Sequence, residues 1–385
     1  MKVNPRTLEQ HIAVFGESGS GKTVMLSAFY GAALEPDFVR SSPFRVVADN
    51  TGQGNQLHKN YLGMRDSAQA PAPTRFKSTS YGFSVKLKNG GAEANAAKPF
   101  DAMRLVWHDY PGEWFEQDVS GPEEAQRRRE TFRDLLVADV ALLLVDGQRL
   151  LDNAGEEDRY LKSLLANLRN GLLRLKDDLL EDGKPLTTFP RIWLIALSKA
   201  DLLPEVDVFN FRDLIVAKAS DELDDLRDVL GELVESPEAL AVGEDFVRLS
   251  SAKFEPNKIN VTERVGLDLI LPLAAMLPFE RHIRWVDQKQ LAPKVVEELL
   301  GGAAAIAAAV IGKAKPKGWK GKLAKLGGQA VTAAMAAAAG LAGDKLRARN
   351  TEARSKQDFV AQALTGFQLA LDEGEDKGVL LRSLR

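Results

Sequence analysis

The sequence contains no cysteine. Disulfides, thiolate metal sites and cysteine nucleophiles are therefore excluded, and the composition fits a reducing compartment. Charge of neither sign dominates: 51 Lys and Arg face 54 Asp and Glu, a net of −3. No global field advertises nucleic acid or membrane as a partner. No uninterrupted apolar stretch reaches the ~20 residues that a spanning helix needs. The first ten residues, MKVNPRTLEQ, lack the apolar core of a secretory signal, so a cytoplasmic protein is expected. Histidines are sparse, and His11, His58 and His282 have no partner at metal-ligand spacing. Structural roles are the expectation for all three.

With 45% apolar and 27% charged residues, the chain has the composition of a globular protein rather than a disordered one. Short apolar runs rich in β-branched residues recur at 11–15, 81–87, 103–109, 140–147, 191–199 and 246–250. Amphipathic stretches at 122–137, 156–181 and 209–234 lie between the later ones. Strands alternating with helices predict an α/β fold, a mostly parallel sheet with helices on both faces. Ligands of such sheets bind at the carboxyl ends of the strands. Two regions stand outside this rhythm. Residues 30–74, with NTGQGNQ and QAPAPT, read as a turn-rich insertion between the first helix and the second strand. Residues 287–385 carry no strand signal and read as a helical module appended to a domain spanning 1–286.

Gly16-Glu17-Ser18-Gly19-Ser20-Gly21-Lys22-Thr23 matches G-x-x-x-x-G-K-[ST], directly after a predicted strand and before the helical run that opens at Val24. Glycines let consecutive backbone N–H groups turn inward around phosphates, and the helix N-terminus adds its positive dipole. Lys22 is expected on the β- and γ-phosphates and the Thr23 hydroxyl on Mg²⁺. Strand 103–109 runs into Asp109-Tyr110-Pro111-Gly112-Glu113-Trp114. Asp109 is placed to hold the Mg²⁺ hydration shell, Gly112 to offer a backbone N–H to the γ-phosphate, and Glu113 to orient a water. Ser198-Lys199-Ala200-Asp201 ends strand 191–199, and Ser251-Ala252-Lys253 follows strand 246–250. The Asp201 carboxylate can accept from both guanine N1–H and its 2-amino group, a donor pair that adenine lacks. The Lys199 stem can lie over the base, and the S-A-K turn can present a backbone N–H to O6.

Together these segments resemble the P-loop GTPases of the TRAFAC type, in that superfamily's order, over residues 11 to about 280. DYPGEW is also similar to the bacterial YcjX-type stress GTPases and the related conflict-system GTPases of bacteria. The resemblance implies a GTP- and GDP-binding, GTP-hydrolysing molecular switch that uses Mg²⁺, with a role in stress or defence. A second metal ligand should come from Thr74, Ser78, Thr79 or Ser80. RFKSTSYGF is similar to the R-x-K-T-T segment of heterotrimeric G-protein α subunits, which makes Arg75 a candidate internal arginine finger and Thr79 or Ser78 the ligand. A solvated basic loop is the alternative.

In the tail, two Ala/Gly-rich segments at 299–312 and 329–343 flank a linker, 313–325, with six lysines, no acid and Trp319. A helical hairpin packed on itself or on a second copy is the plain reading. Contact with an anionic membrane surface through the lysines is the alternative, and nucleic acid has little to stack on. Protein partners are expected at the switch segments or the tail. Two rival functions remain at this level: a nucleotide-dependent scaffold with negligible turnover, and an ATPase.

Overall fold

The computed structural model describes residues 7–72, 79–88, 102–109, 121–180, 183–300, 306, 344–355 and 358–383. Eight strands form one sheet in the order β10-β7-β6-β5-β1-β4-β3-β2. They are β1 (Thr7–Phe15), β2 (Phe44–Ala48), β3 (Thr79–Leu87), β4 (Ala102–Asp109), β5 (Val140–Asp146), β6 (Ile192–Ser198), β7 (Ala241–Arg248) and β10 (Leu380–Leu381). The inner pairs β4-β1-β5-β6-β7 are parallel, whereas β2, β3 and β10 run antiparallel at the two edges. A separate hairpin joins β8 (Lys253–Glu255) to β9 (Lys258–Asn260).

The central strands read as continuous apolar runs because both faces are covered. In β5 every residue is buried, and the two-residue period sends Leu142 and Leu144 to one face, Ala141, Leu143 and Val145 to the other. The first face packs against α1 (Lys22–Leu34), α3 (Thr51–Ser67) and α8 (Ile270–Gln288). The second packs against α4 (Pro122–Leu136), α6 (Glu157–Leu179) and α7 (Val208–Leu233). Between them lie the short helices α2 (Pro36–Ser41) and α5 (Gly147–Asp152); α9 occupies 293–300, α10 Asp344–Ser355 and α11 Phe359–Asp376. In α7 the buried positions Phe211, Ile215, Leu223, Leu226, Leu230 and Leu233 form one stripe. Among the described residues, no helix is long and apolar enough to cross a membrane.

The structure corrects the sequence reading in two places. Residues 30–74 are not a turn-rich insertion: they hold α2, the edge strand β2 and the 17-residue helix α3. Asn50 caps α3, its side chain accepting from Gln53 N at 3.0 Å. Leu57, Tyr61 and Met64 then bury one stripe. Of the glycines that suggested turns, Gly54 serves packing instead, since a Cβ there would lie 2.8 Å from the Ala48 Cβ. A Cβ on Gly31 of α1 would come within 2.0 Å of the Tyr61 ring, so the two helices touch only because that atom is missing.

At the other end, the last described residues belong to the body of the sheet. Val360, Leu364, Phe367 and Leu371 of α11 lie in the same core as β1 and α8, with Phe367 edge-on to Phe44 at 5.6 Å. Leu380 and Leu381 pair with Val247 and Phe246. A two-residue strand is too short to leave a period in the sequence. The Ala/Gly-rich segments and the lysine-rich linker 313–325 lie outside the described residues, apart from 299, 300 and 306.

Candidate functional site

The carboxyl ends of β1, β4, β5, β6 and β7 lie along one edge of the sheet. From β1 the chain turns through Gly16–Gly21 into α1. Gly19 (φ 82°) and Gly21 (φ 92°) adopt the left-handed backbone that glycine tolerates, and Gly21 is the residue from which α1 starts. A Cβ on Gly16 would meet the Ser20 hydroxyl at 2.7 Å. Lys22 is buried, with Nζ donating to the Gly16 carbonyl at 2.7 Å and the Glu17 carbonyl at 3.0 Å. The loop is thus wound around the ammonium. Thr23 and Val24 follow in the first turn of α1.

Asp109 ends β4, in register with Val14 on one side and Thr79 on the other. Its carboxyl group is buried, and Oδ1 has no hydrogen-bond partner among the described residues. Burial pushes its pKa up to about 6 against the opposing pull of Lys22. An ionisable oxygen kept without a partner beside a P-loop lysine is chemically suited to a cation or its water shell. Ser80, one of the alternatives to Thr79, is engaged elsewhere, its Oγ 2.9 Å from His108 Nδ1. His108 in turn lies 3.0 Å from His11 Nδ1, and burial together with His11 lowers its pKa to about 4. His11 completes this polar chain through Glu9 at 2.8 Å, in keeping with a structural role. Thr74, Arg75, Ser78, Gly112 and Glu113, together with the rest of DYPGEW after Asp109, lie outside the described residues.

The next two segments meet at the ends of β5 and β6. Asp146 pairs with Ser198 in register, and Gly147 lets their loops close, since a Cβ there would lie 2.8 Å from the Ser198 carbonyl. Ser198 Oγ donates to the Val145 carbonyl at 3.2 Å. Lys199 takes a left-handed backbone (φ 52°) and sends Nζ to Asp146 Oδ2 at 2.7 Å, which fixes its aliphatic stem. Asp201 is held by Ser250 Oγ, 2.7 Å from Oδ1, and by Phe254 N, 3.5 Å from Oδ2. Backbone bonds from Ala200 N to Leu249 O (3.1 Å) and from Leu249 N to Leu197 O (2.8 Å) tie the two loops together.

A cleft of about 300 Å³ unites these segments, at the lower end of the size range of small-molecule sites. Gly19, Ser20, Gly21 and Val24 line it together with Ser198, Lys199, Asp201, Ser251 and Ala252. Lys253 does not line it. Its ammonium pairs with Glu255 at 3.4 Å and Glu263 at 3.5 Å on the outer surface. Several residues with no place in the motifs join the site. Gln148, Ala70 and Phe254 line the cleft, and Arg149 braces the P-loop through Glu17 (2.8 Å) and the Ser18 carbonyl (3.3 Å). Gln148 and Arg149 follow a strand end directly in VDGQR, a position from which the topology alone could have recruited them.

Three solved structures are similar at low identity. A Plasmodium falciparum protein named for nucleolar GTP-binding protein 1 is 12% identical, covering 78% of this chain and 97% of its own, with a TM-score of 0.33. The signal recognition particle receptor SRb-GTP/SRX complex from Chaetomium thermophilum is 20% identical over 66% of this chain and 93% of its own, with a TM-score of 0.33. The GDP-bound Roco2 RocCORdC of Methanosarcina barkeri is 12% identical over 64% of this chain and 44% of its own, with a TM-score of 0.22. No curated protein matches the chain in sequence. The Double-GTPase 2 family model matches residues 10–225. That span is more than half of the chain; it takes in the P-loop, Asp109 and Ser198–Asp201, and the match names no YcjX-type relative. The protein belongs to the Double-GTPase 2 family and is a P-loop GTPase by family.

Proposed function

We propose that the protein is a GTP-hydrolysing switch whose nucleotide lies in the cleft between the P-loop and the two loops after β6 and β7. The observation that carries this reading is the convergence of Gly19–Gly21, Ser198, Lys199, Asp201, Ser251 and Ala252 on one cleft. In this reading the P-loop amides and Lys22 hold the phosphates. Lys22 exchanges its bonds to the Gly16 and Glu17 carbonyls for β- and γ-phosphate oxygens. Asp201 exchanges Ser250 Oγ and Phe254 N for guanine N1–H and the 2-amino group, while the Lys199 stem lies along the base. Thr23 and Asp109, with Thr79 opposite Asp109 across the β3–β4 register, would hold Mg²⁺, which neutralises charge on the phosphates. The unpartnered Asp109 oxygen fits that use. Arg75 is proposed as the cation that answers transition-state charge, and Glu113 as the group that orients the attacking water. Gly112 would signal the γ-phosphate to the segment that follows it, and loss of that phosphate would release the switch.

Single-turnover hydrolysis of GTP by the pure full-length protein, with Lys22→Ala as the blank, tests the proposal. Turnover in the wild type, lost in the variant and competed by GDP but not by ATP, supports it. Tight GTP binding without turnover would reduce the protein to a nucleotide-dependent scaffold. Competition by ATP at equal concentration would reassign the base.

A further inference from the structure

We propose that Arg149 is a positioning residue of the phosphate site, cancelling the charge that Glu17 places inside the P-loop so that a di- or triphosphate can enter. The inference deepens the proposed function and rests on the P-loop being the phosphate subsite. Such a loop works by presenting consecutive backbone N–H groups to an anion. The pattern G-x-x-x-x-G-K-[ST] leaves its second position open, and in this chain that position holds an acid, Glu17. Glu17 is 6% exposed. A carboxylate of the ligand's own sign, shielded from water within the loop, opposes phosphate binding unless a cation stands against it.

Arg149 supplies that cation. Its Nη1 stands 2.8 Å from Glu17 Oε2, and its Nη2 donates to the Ser18 carbonyl at 3.3 Å. One guanidinium thus takes the carboxylate with one nitrogen and the next residue's carbonyl with the other, a fork that an ammonium cannot reproduce. The carbonyls of Gly16 and Glu17 bind Lys22 instead. In the proposed nucleotide complex Lys22 leaves them for the phosphates, whereas Arg149 stays with the loop. The position of Arg149 is set by the fold. It sits in the short α5 directly after β5, and Gly147 seats the start of α5 against the Ser198 carbonyl. Tyr160 of α6 joins the group, its hydroxyl accepting from Asp146 N at 2.9 Å. Burial raises the pKa of that hydroxyl, Glu17 and Asp146 add to the rise, and Arg149 opposes it, as expected within one cluster of charges. Neither Glu17 nor Arg149 is among the described residues that line the cleft. The pair therefore acts on the ligand through the loop's shape and its field rather than by contact.

The test measures binding of GDP and of the non-hydrolysable triphosphate GppNHp to the full chain by calorimetric titration, below the unfolding temperature of each protein. The variants are Arg149→Met, Arg149→Lys and the double variant Glu17→Gln/Arg149→Met. Like charges on the order of 10 Å apart near a protein surface repel enough to shift an affinity roughly tenfold. Arg149→Met should therefore weaken both nucleotides, and GppNHp by roughly a further tenfold, because it brings one more phosphate charge. The double variant should return the GppNHp-to-GDP affinity ratio to that of the wild type. Arg149→Lys should keep the wild-type ratio while weakening both nucleotides by a common factor, since the charge remains and the fork is lost. A role in stability alone would move the two nucleotides together. Equal losses in Arg149→Met would thus reduce Arg149 to a structural brace and overturn the proposal, as would a ratio left unrestored in the double variant. Binding that Lys22→Ala abolishes but Arg149→Met leaves unchanged overturns this inference alone. Wild-type protein that binds neither nucleotide removes the phosphate site and the inference together.

Discussion

Asp245→Ala should be among the most destabilising single substitutions in the protein, although Asp245 does not line the cleft. Asp245 is fully buried, and Arg281, which donates to it from Nη2 at 2.7 Å, is 2% exposed. The same carboxylate oxygen accepts from Ser383 N at 2.8 Å. Removing one member of a buried ion pair leaves an uncompensated charge and costs about 3–5 kcal/mol. Here Arg281 retains the Ser383 carbonyl at 3.1 Å and Glu244 at 3.5 Å. The lower end of that range, about 3 kcal/mol, is therefore expected. Burial pushes the Asp245 pKa up against the pull of Arg281, so the charged pair is itself expensive to keep. An Asp245→Leu/Arg281→Met double variant should accordingly be milder than Asp245→Ala. The loss should also reach the nucleotide. Residues 379–381 brace β7 through the Arg248 N–Val379 O bond (2.8 Å) and the β10 ladder, and β7 delivers Ser250 to Asp201. Thermal unfolding and GDP titration of the three proteins decide the matter. A cost below about 1 kcal/mol for Asp245→Ala, or a double variant less stable than Asp245→Ala, would refute the reasoning.

Three other outcomes are expected. Asp201→Asn should weaken GTP and GDP by about 2 kcal/mol and improve the relative binding of xanthosine nucleotides, measured by competition; retained guanine preference would reject the base site. Arg75→Ala should lower the single-turnover rate by at least about tenfold, with GTP affinity unchanged, since contacts made only in the transition state appear in the rate; a wild-type rate would make the segment an ordinary basic loop. Burial, with Arg191 and Arg281 nearby, pushes the His282 pKa down to about 3, so the neutral ring is the folded form. The stability this contributes is complete above pH 6.5 and declines as pH falls from 6.5 toward 3, reaching a loss of about 2 kcal/mol at pH 5. His282→Phe should therefore lose less stability than wild type between pH 7 and pH 5 in urea unfolding; parallel losses would contradict the shift.

The P-loop pattern, Asp109 and the two candidate base loops could be nominated from the sequence because each is a run of consecutive residues at a strand end, where chemistry dictates residue type and order together. The pieces that escaped are those that depend on contacts between distant segments. Gly54 reads as a turn residue until the structure sets Ala48 against it. Glu17 and Arg149 are separated by more than a hundred residues, and neither is unusual alone. Phe254 is a lone aromatic after a motif, and its place in the cleft lining emerges only from the folded chain. The Lys253 side chain turns the other way, to Glu255 and Glu263, so only the backbone of that turn can serve the S-A-K reading. Local pattern thus nominates candidate groups, and register decides which of their neighbours line the cleft.

Register also explains why the cleft has the shape it has. Val14 opposite Asp109, and Asp146 opposite Ser198, bring the P-loop, the candidate metal ligand and the base loop to the same height at the sheet's edge. A slip of one residue between β5 and β6 would turn Leu142 and Leu144 out of the α1 core and force Gly147 away from the Ser198 carbonyl. Both consequences oppose the slip, the first through apolar burial, the second through the close approach that only glycine permits. The far side of the base loop lacks such a constraint from β7 alone, because the β6–β7 register shifts between Trp193 and Ile195. The antiparallel pairing of β10 and the buried Asp245–Arg281–Ser383 cluster supply it from the carboxyl-terminal segment. Residues 379–383 therefore brace the strand that leads to Ser250 and, through it, Asp201.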